Sequence, residues 1–267
     1  AFAYAEGKGR VFQSLLGHDA GAVRTPGHAE ALRRAVAWIA RREILPQPVR
    51  SAPAAPPAQA LVPAPGRFGG ALDARAGAVQ AAGRADYQEP PLRVECWAKL
   101  DGKAGYNILV ANSRKQSARH WEVYTEAGTG RLAAYLPGAS PANVVSDADL
   151  CDGAWHHVAF VYLPGRVRLL VDGRVVADTA IGVPHATAAI GPLWIGGYPP
   201  DGLGCDGLVD EVRIRASATG SDLLPVSAPT VDAQTLGLWR FDAVAAGGWP
   251  DLGRGGNPMK HAAAPNA

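Results

Sequence analysis

Residues 151–178, CDGAWHHVAFVYLPGRVRLLVDGRVVAD, decide the fold. Val167, Leu169 and Val171 alternate with Arg166, Arg168 and Leu170. A period of two puts one face of a strand inside and leaves the other partly wet. Leu163-Pro164-Gly165 and Asp172-Gly173 each punctuate the run. Asp-Gly between apolar strands is a strong two-residue hairpin signal, because both central residues need positive φ. His156 and His157 sit beside Trp155. Neighbouring strand residues face opposite ways, so the two histidines cannot hold one metal together. They read as framework, one packed at the sheet edge under Trp155 and the other wet.

The same pattern continues outward. GAVQAAG, LRVECWAKL, YNILVANS, HWEVYTEA, RLAAYLPG, LWIGG, GLVDEVRIR and LGLWRFD are short apolar runs bounded by Gly, Pro, Asp or Asn. Such spacing, without helical periodicity, predicts a mainly β fold, a sandwich or a barrel. Upstream the chain changes character. Residues 46–66, PQPVRSAPAAPPAQALVPAPG, are rich in Pro and Ala and predict a semi-rigid linker. Before it, GKGRVFQS reads as a strand, and HAEALRRAVAWIARRE carries Ala31, Leu32, Ala35, Val36, Trp38 and Ile39 at helical spacing. Thr25 and Pro26 suit the N-cap and first helical position. One strand and one helix cannot make a core, so residues 1–45 are expected to be the end of an α/β domain and the chain a piece of a longer protein.

Bulk composition excludes several classes. The chain has 267 residues, 48% hydrophobic, with a formal net charge of +2. That is long enough for one large β domain and too balanced for a nucleic-acid binder. No run of about 18 apolar residues is present, so no membrane-spanning helix is expected. AFAYAEGKGRVFQS lacks the charged start and apolar middle of a signal peptide. The three cysteines have no zinc spacing. Cys96 lies in an alternating strand and reads as a buried thiol. Cys151 and Cys205 share turn-like settings, LCDG and GCDG, and are the candidates for a disulfide, which would imply an oxidising compartment.

RVECWAKL, CDGAWHHVAFVY, VRLLVDGRVVAD, LWIGG and GLVDEVRIR, in that order, resemble the laminin-G-like, concanavalin A-like jelly-roll domains. GRFGGALDARAGAVQAAG resembles their opening strands. The motifs run from Gly66 to Arg215, and the domain is expected over about residues 66–242 within a region 67–267. The resemblance implies a secreted, periplasmic or cell-surface module that binds carbohydrate or an extracellular protein. One departure stands out: LGLWRFD resembles a strand that often opens such domains, yet here it comes last. It is expected to fill its slot in permuted order rather than to begin a second repeat. GKGRVF and LGHD resemble the last strand and helix of a ThuA-like (trehalose-utilisation) domain with a class I glutamine-amidotransferase-like fold. His18-Asp19 ends that strand, where α/β folds place their sites, and is read equally as a turn.

Candidate site residues follow from side-chain chemistry. Asn107, Asn112, His120, Glu122, Tyr124 and Tyr135 form the polar and aromatic centre of the β region. Amides and carboxylates bind hydroxyls, and rings stack on sugar faces, so this set is the expected ligand site. Trp121 and Val123 would face the core, putting Glu122 and Tyr124 on the other face beside Arg131 or Tyr135. The basic loop SRKQSAR suits an acidic glycan or simple solvation. Asp73, Asp206 and Asp210 are the candidate ligands of a structural calcium, with Asp210 alternatively holding a turn. Catalysis by the β domain is not expected. Glycosidases set two carboxyl groups roughly 5–10 Å apart across the bond, and the ExDxxE-like pattern of glucanases with this fold is absent.

Overall fold

The computed structural model describes residues 2–6, 9–13, 26–40, 62–182, 189–218 and 224–262. The chain clusters into two compact units, 1–59 with 266–267, and 60–265. In the smaller unit β1 (Phe2–Glu6) pairs antiparallel with β2 (Gly9–Gln13), Tyr4 opposite Val11. No alternation of apolar and polar residues in the sequence announces β1. Helix α1 (Pro26–Ile39) begins at its proline, whose missing N–H costs nothing in a first turn. Arg10 Nη1 donates to the Trp38 carbonyl at 2.7 Å, and its guanidinium lies 5.0 Å from the Trp38 ring centroid. His18, Asp19, Thr25 and most of the expected linker lie outside the described residues.

The larger unit is a two-sheet antiparallel sandwich. Its strands are β3 (Ala64–Pro65), β4 (Gly70–Asp73), β5 (Val79–Ala81), β6 (Leu92–Leu100), β7 (Asn107–Asn112), β8 (Trp121–Thr125), β9 (Arg131–Tyr135) and β10 (Asn143–Asp149). There follow β11 (Trp155–Leu163), β12 (Arg166–Val171), β13 (Arg174–Ala180), β14 (Leu193–Ile195), β15 (Gly207–Arg215), β16 (Thr235–Trp239) and β17 (Lys260–His261). One sheet has the order β10-β9-β8-β7-β14-β5-β17, the other β13-β12-β11-β6-β15-β4-β3. Leu92, Val94, Cys96, Ala98 and Leu100 of β6 enter the shared core with Val158, Phe160 and Tyr162 of β11. From the other sheet Trp121 stacks on Phe160 at 5.5 Å, joining the layers.

The hairpin signals take the forms their residues demand. Asp172 (φ 50°) and Gly173 (φ 79°) join β12 to β13, both with the positive φ of a type I′ turn. Pro164-Gly165 joins β11 to β12, the glycine at φ 74°. The C-terminal strand completes this domain: β16 pairs with β15 at Val212–Arg215, while β4 pairs with the same strand at Leu208 and Val209. The strand NVVSDAD, β10, went unread.

Two expectations are corrected. All three cysteines are free thiols. Cys205 is buried in the core cluster, whereas the Cys151 sulfur sits 3.5 Å from Asn107 Nδ2 and 3.7 Å from Thr125 Oγ1. His157 is the buried histidine, and it packs 5.4 Å from Trp97, not under Trp155. Burial pushes it down to about 4, so it is neutral. His156 is the half-buried one, between Asp172 at 2.7 Å and Asp152 at 3.1 Å.

Candidate functional site

β8 sets the site. Trp121 and Val123 belong to the core, so Glu122 and Tyr124 point out through the seven-stranded sheet. β9 places Tyr135 opposite Glu122 and the small Ala133 opposite Tyr124, and β7 places Ala111 opposite Glu122. Tyr124 and Ala133 join Ile108, Ala111, Trp194 and Tyr198 in a second apolar cluster on this outer face. A tight loop brings Tyr198 and Asp201: Tyr198 N–H donates to Leu203 O at 2.7 Å and Leu203 N–H donates back at 3.2 Å. Ile108 N–H donates to Gly204 O at 3.0 Å, tying the loop to β7.

These elements surround a cavity of about 250 Å³. Tyr106, Tyr124 and Tyr135 give it aromatic walls, Ile108 and Leu203 an apolar edge, and Lys115, Glu122 and Asn143 its polar groups. Tyr106 is half exposed, its ring 5.9 Å from that of Tyr124. The Tyr124 hydroxyl donates to Asn143 Oδ1 at 3.3 Å, and burial pushes its pKa up to about 12, so it remains a donor. Lys115 Nζ lies 3.3 Å from Glu122 Oε1, 3.3 Å from Asp201 Oδ2, and 4.9 Å from the Tyr198 ring centroid. The Lys115 N–H donates to the Tyr198 hydroxyl at 2.9 Å. Behind Glu122, His120 Nδ1 is 3.0 Å from Ser113 O. A carbonyl only accepts, so the hydrogen is on Nδ1. Nε2 faces Glu122 Oε2 at 3.4 Å, and both atoms are buried without a hydrogen-bond partner. The arrangement offers ring faces beside a polar floor.

Three of the six expected ligand residues therefore line this cavity, Glu122, Tyr124 and Tyr135, while His120 stands behind Glu122 without lining it. Asn107 and Asn112 do not line it either. Asn107 is spent on the framework, Nδ2 donating to Gly102 O and Thr125 Oγ1 at 2.9 Å each, Oδ1 accepting the Asp206 N–H at 2.7 Å. Asn112 stands beside Trp121 and Leu193 on the core side. A bulge in β7, where Ile108 pairs with Tyr124 but Val110 with Val123, turns it inward. Lys115, Asn143, Tyr106, Tyr198 and Asp201 were not singled out from sequence. Lys115 was legible only as part of a basic loop.

The calcium set does not assemble. Among the described residues no three of His, Cys, Asp or Glu converge to hold a metal ion. Asp73 is occupied by Arg75, whose Nε is 2.8 Å from Oδ1, and this hydrogen bond lowers the Asp73 pKa. Arg75 also reaches Asp101 at 2.6 Å. A guanidinium supplies the charge a cation would bring. Asp210 Oδ2 instead accepts the N–H groups of Arg67 and Phe68 at 2.8 and 3.1 Å, holding that turn.

A larger cavity, about 530 Å³, lies on the outer face of the eight-stranded sheet beneath residues 224–232. Most of its floor is already paired, Glu211 excepted, whose two carboxyl oxygens are buried without a hydrogen-bond partner. Glu95 takes Arg93 and Arg213 at 2.5 Å each, and Arg215 takes Asp232 at 2.6 Å. Glu211 follows Asp210 at a bulge in β15, at φ 50°, so the two carboxyls do not alternate as a regular strand would place them. Burial pushes Glu211 up to about 8, the Arg240 guanidinium at 3.7 Å opposing it. Size favours this cavity, but its walls are the chain's own Pro225, Val226 and Pro229 over a largely self-neutralised floor. The smaller, tyrosine-walled cavity is the better candidate.

A laminin-G-type family model, described as the concanavalin A-like lectin/glucanases superfamily, matches residues 73–222, more than half of the chain. Among solved structures, a candidate carbohydrate binding protein from Bacteroides ovatus aligns with a TM-score of 0.52 and 16% identity, covering 71% of this chain and 59% of that one. This chain thus spans under two thirds of that protein. The CBM40 module of a Ruminococcus gnavus IT-sialidase aligns at 0.42 and 12% identity, over 53% of this chain and 88% of that one. Mouse laminin α1 domains LG4-5 align at 0.42 and 18%, over 66% and 50%. These likenesses concern the fold. With the family match over the two-sheet core, the chain belongs to the concanavalin A-like lectin/glucanases superfamily, through a laminin-G-type domain.

Proposed function

We propose that residues 67–267 act as a non-catalytic carbohydrate-binding module, with the sugar seated in the Tyr106–Tyr124–Tyr135 cavity. The observation that carries this reading is the cavity's make-up: three phenol rings around a fixed Lys115–Glu122 pair, outside the sheet and apart from the core. Rings bury the C–H face of a pyranose while the polar groups take its hydroxyls. Glycosidic cleavage uses two carboxyl groups across the bond, and among the described lining residues Glu122 is the one carboxylate, so the module binds rather than cleaves. It tethers its protein to a glycan outside the cytoplasm; service as the accessory domain of a ThuA-like, sugar-active enzyme whose end is residues 1–45 is one alternative. A purely structural or protein-binding adhesion role is the other, and the exposed ring of Tyr106 speaks against it only through glycan affinity. Titration calorimetry of the full chain against a panel of polysaccharides tests the proposal. Saturable heat lost in Tyr135→Ala, with an unchanged melting curve, is the expected result; a folded chain that binds no glycan overturns it.

A further inference from the structure

We infer that the tyrosine cavity takes an uncharged glycan and discriminates against acidic ones. This rests on the carbohydrate reading of the same site and narrows it. By composition the loop Ser113–Arg119 invites the opposite conclusion, since it carries three cations. The structure pairs two of the three with carboxylates. Arg119 Nη1 pairs with Glu89 at 3.1 Å. Lys115 lies 3.3 Å from both Glu122 and Asp201. Arg114 is exposed and lies outside the cavity lining.

Among the described residues that line the cavity, Lys115 is the one cation, and two carboxylates already share it. Recognition of a carboxylate or sulfate wants a cation free to pair, best a planar guanidinium that binds two oxygens at once. None lines this site. An acidic sugar would have to compete with Glu122 and Asp201 for one ammonium while approaching both as a like charge. Nearby, Glu126 is paired with Arg131 at 2.9 Å, and neither offers a net charge to the cavity. His120 stands behind Glu122, fully covered, and does not reach the ligand space. What remains suits hydroxyls. Lys115 has a third N–H, Asn143 has its amide donors, and Tyr106 and Tyr135 have phenols that both donate and accept.

The test is affinity electrophoresis and calorimetry of the full chain against mannan, xylan, β-glucan and galactan on one side, and heparin, polygalacturonate and sialyllactose on the other. Expected is binding to at least one neutral polymer, at least about tenfold tighter than to any acidic one, and nearly unchanged between about 0.05 and 0.5 M salt. Asp201→Asn, which frees part of the Lys115 charge, is expected to narrow the gap roughly threefold or more by raising acidic binding. Preference for an acidic glycan in the wild-type chain overturns this inference and leaves the carbohydrate reading standing. A folded chain that binds neither class overturns both.

Discussion

The two sheets carry polar groups on their outer faces and use them in opposite ways. On the eight-stranded sheet Arg93, Glu95 and Arg213 form a buried ionic triad, capped by residues 224–232. On the seven-stranded sheet one buried pair, Lys115–Glu122, lies among tyrosines, with Tyr106 half exposed above it. In the first, charge is consumed inside the fold. In the second, charge fixes a surface that rings and hydroxyl-binding groups complete. Buried charge alone is therefore a poor sign of function, and the same chemistry marks a site only where it holds other groups open to solvent.

The sharpest way to break this comparison is to cut the triad. Glu95→Gln leaves Arg93 and Arg213 without their carboxylate, and breaking a buried pair typically costs about 3–5 kcal/mol. Urea unfolding should show a loss of that order, with glycan affinity unchanged in the protein that remains folded. A loss below about 1 kcal/mol would mean that the triad is not structural.

The next effect belongs to Glu211, on the same face. Its ordinary value of 4.5 is raised to about 8 in the fold, chiefly by burial. Between those values the folded state holds a proton that the unfolded state has lost. The stability it contributes is fully present below about 4.5 and disappears as the pH climbs through about 8. Thermal melts should fall over that window, and Glu211→Gln should flatten the fall. Asp210 is pushed up to about 7 by burial and pulled down by three N–H donors, so it contributes in the same direction and sets the residual slope. A variant as pH-sensitive as the wild type would remove Glu211 from this account.

On the other face, Tyr106→Ala tests whether the rings bind. Tyr106 is 49% exposed, so its loss should leave the melting temperature within about 2 °C while weakening glycan binding roughly tenfold, about 1.4 kcal/mol. Equal affinity in wild type and variant would shift the site away from the cavity's mouth.

How much of this was legible in the sequence depends on what carries each residue. In β8, Trp121 and Val123 against Glu122 and Tyr124 is a plain period of two, and the register follows it. The turns at Asp172-Gly173 and Pro164-Gly165 announce themselves by backbone chemistry. β10 escaped notice because its polar positions, Ser146, Asp147 and Asp149, belong to an edge strand and mask the alternation. Asn112 was misplaced because a one-residue bulge reverses facing without leaving a mark in composition. Tyr198 and Asp201 arrive by a loop whose closure depends on backbone bonds to Leu203 and Gly204, which no local pattern specifies. Strand-borne parts of the site can be read in advance; loop-borne parts need the fold.

The smallest effect separates the histidine pair that opened the sequence reading. Burial alone would lower the His156 pKa, but hydrogen bonds from the ring to Asp172 and Asp152 outweigh it and raise the value above 6.5. The stability this adds is fully present below about 6.5 and is lost as the pH rises through the folded value. His156→Gln should therefore cost up to about 1 kcal/mol at pH 6 and nothing at pH 9, because pairs with partly exposed carboxylates contribute little. Asp172 makes the cost small for a second reason. Its Oδ1 also accepts the His157 N–H at 2.8 Å, so the hairpin turn keeps that carboxylate in place whether or not His156 carries a proton. The slopes of Glu211 and His156 have the same sign, and only the variants tell them apart. Glu211→Gln should keep the loss that sets in above about 6.5, while His156→Gln should keep the loss that runs up to about 8. A His156→Gln protein equally destabilised at pH 6 and pH 9 would show that the ring acts by packing, not by charge.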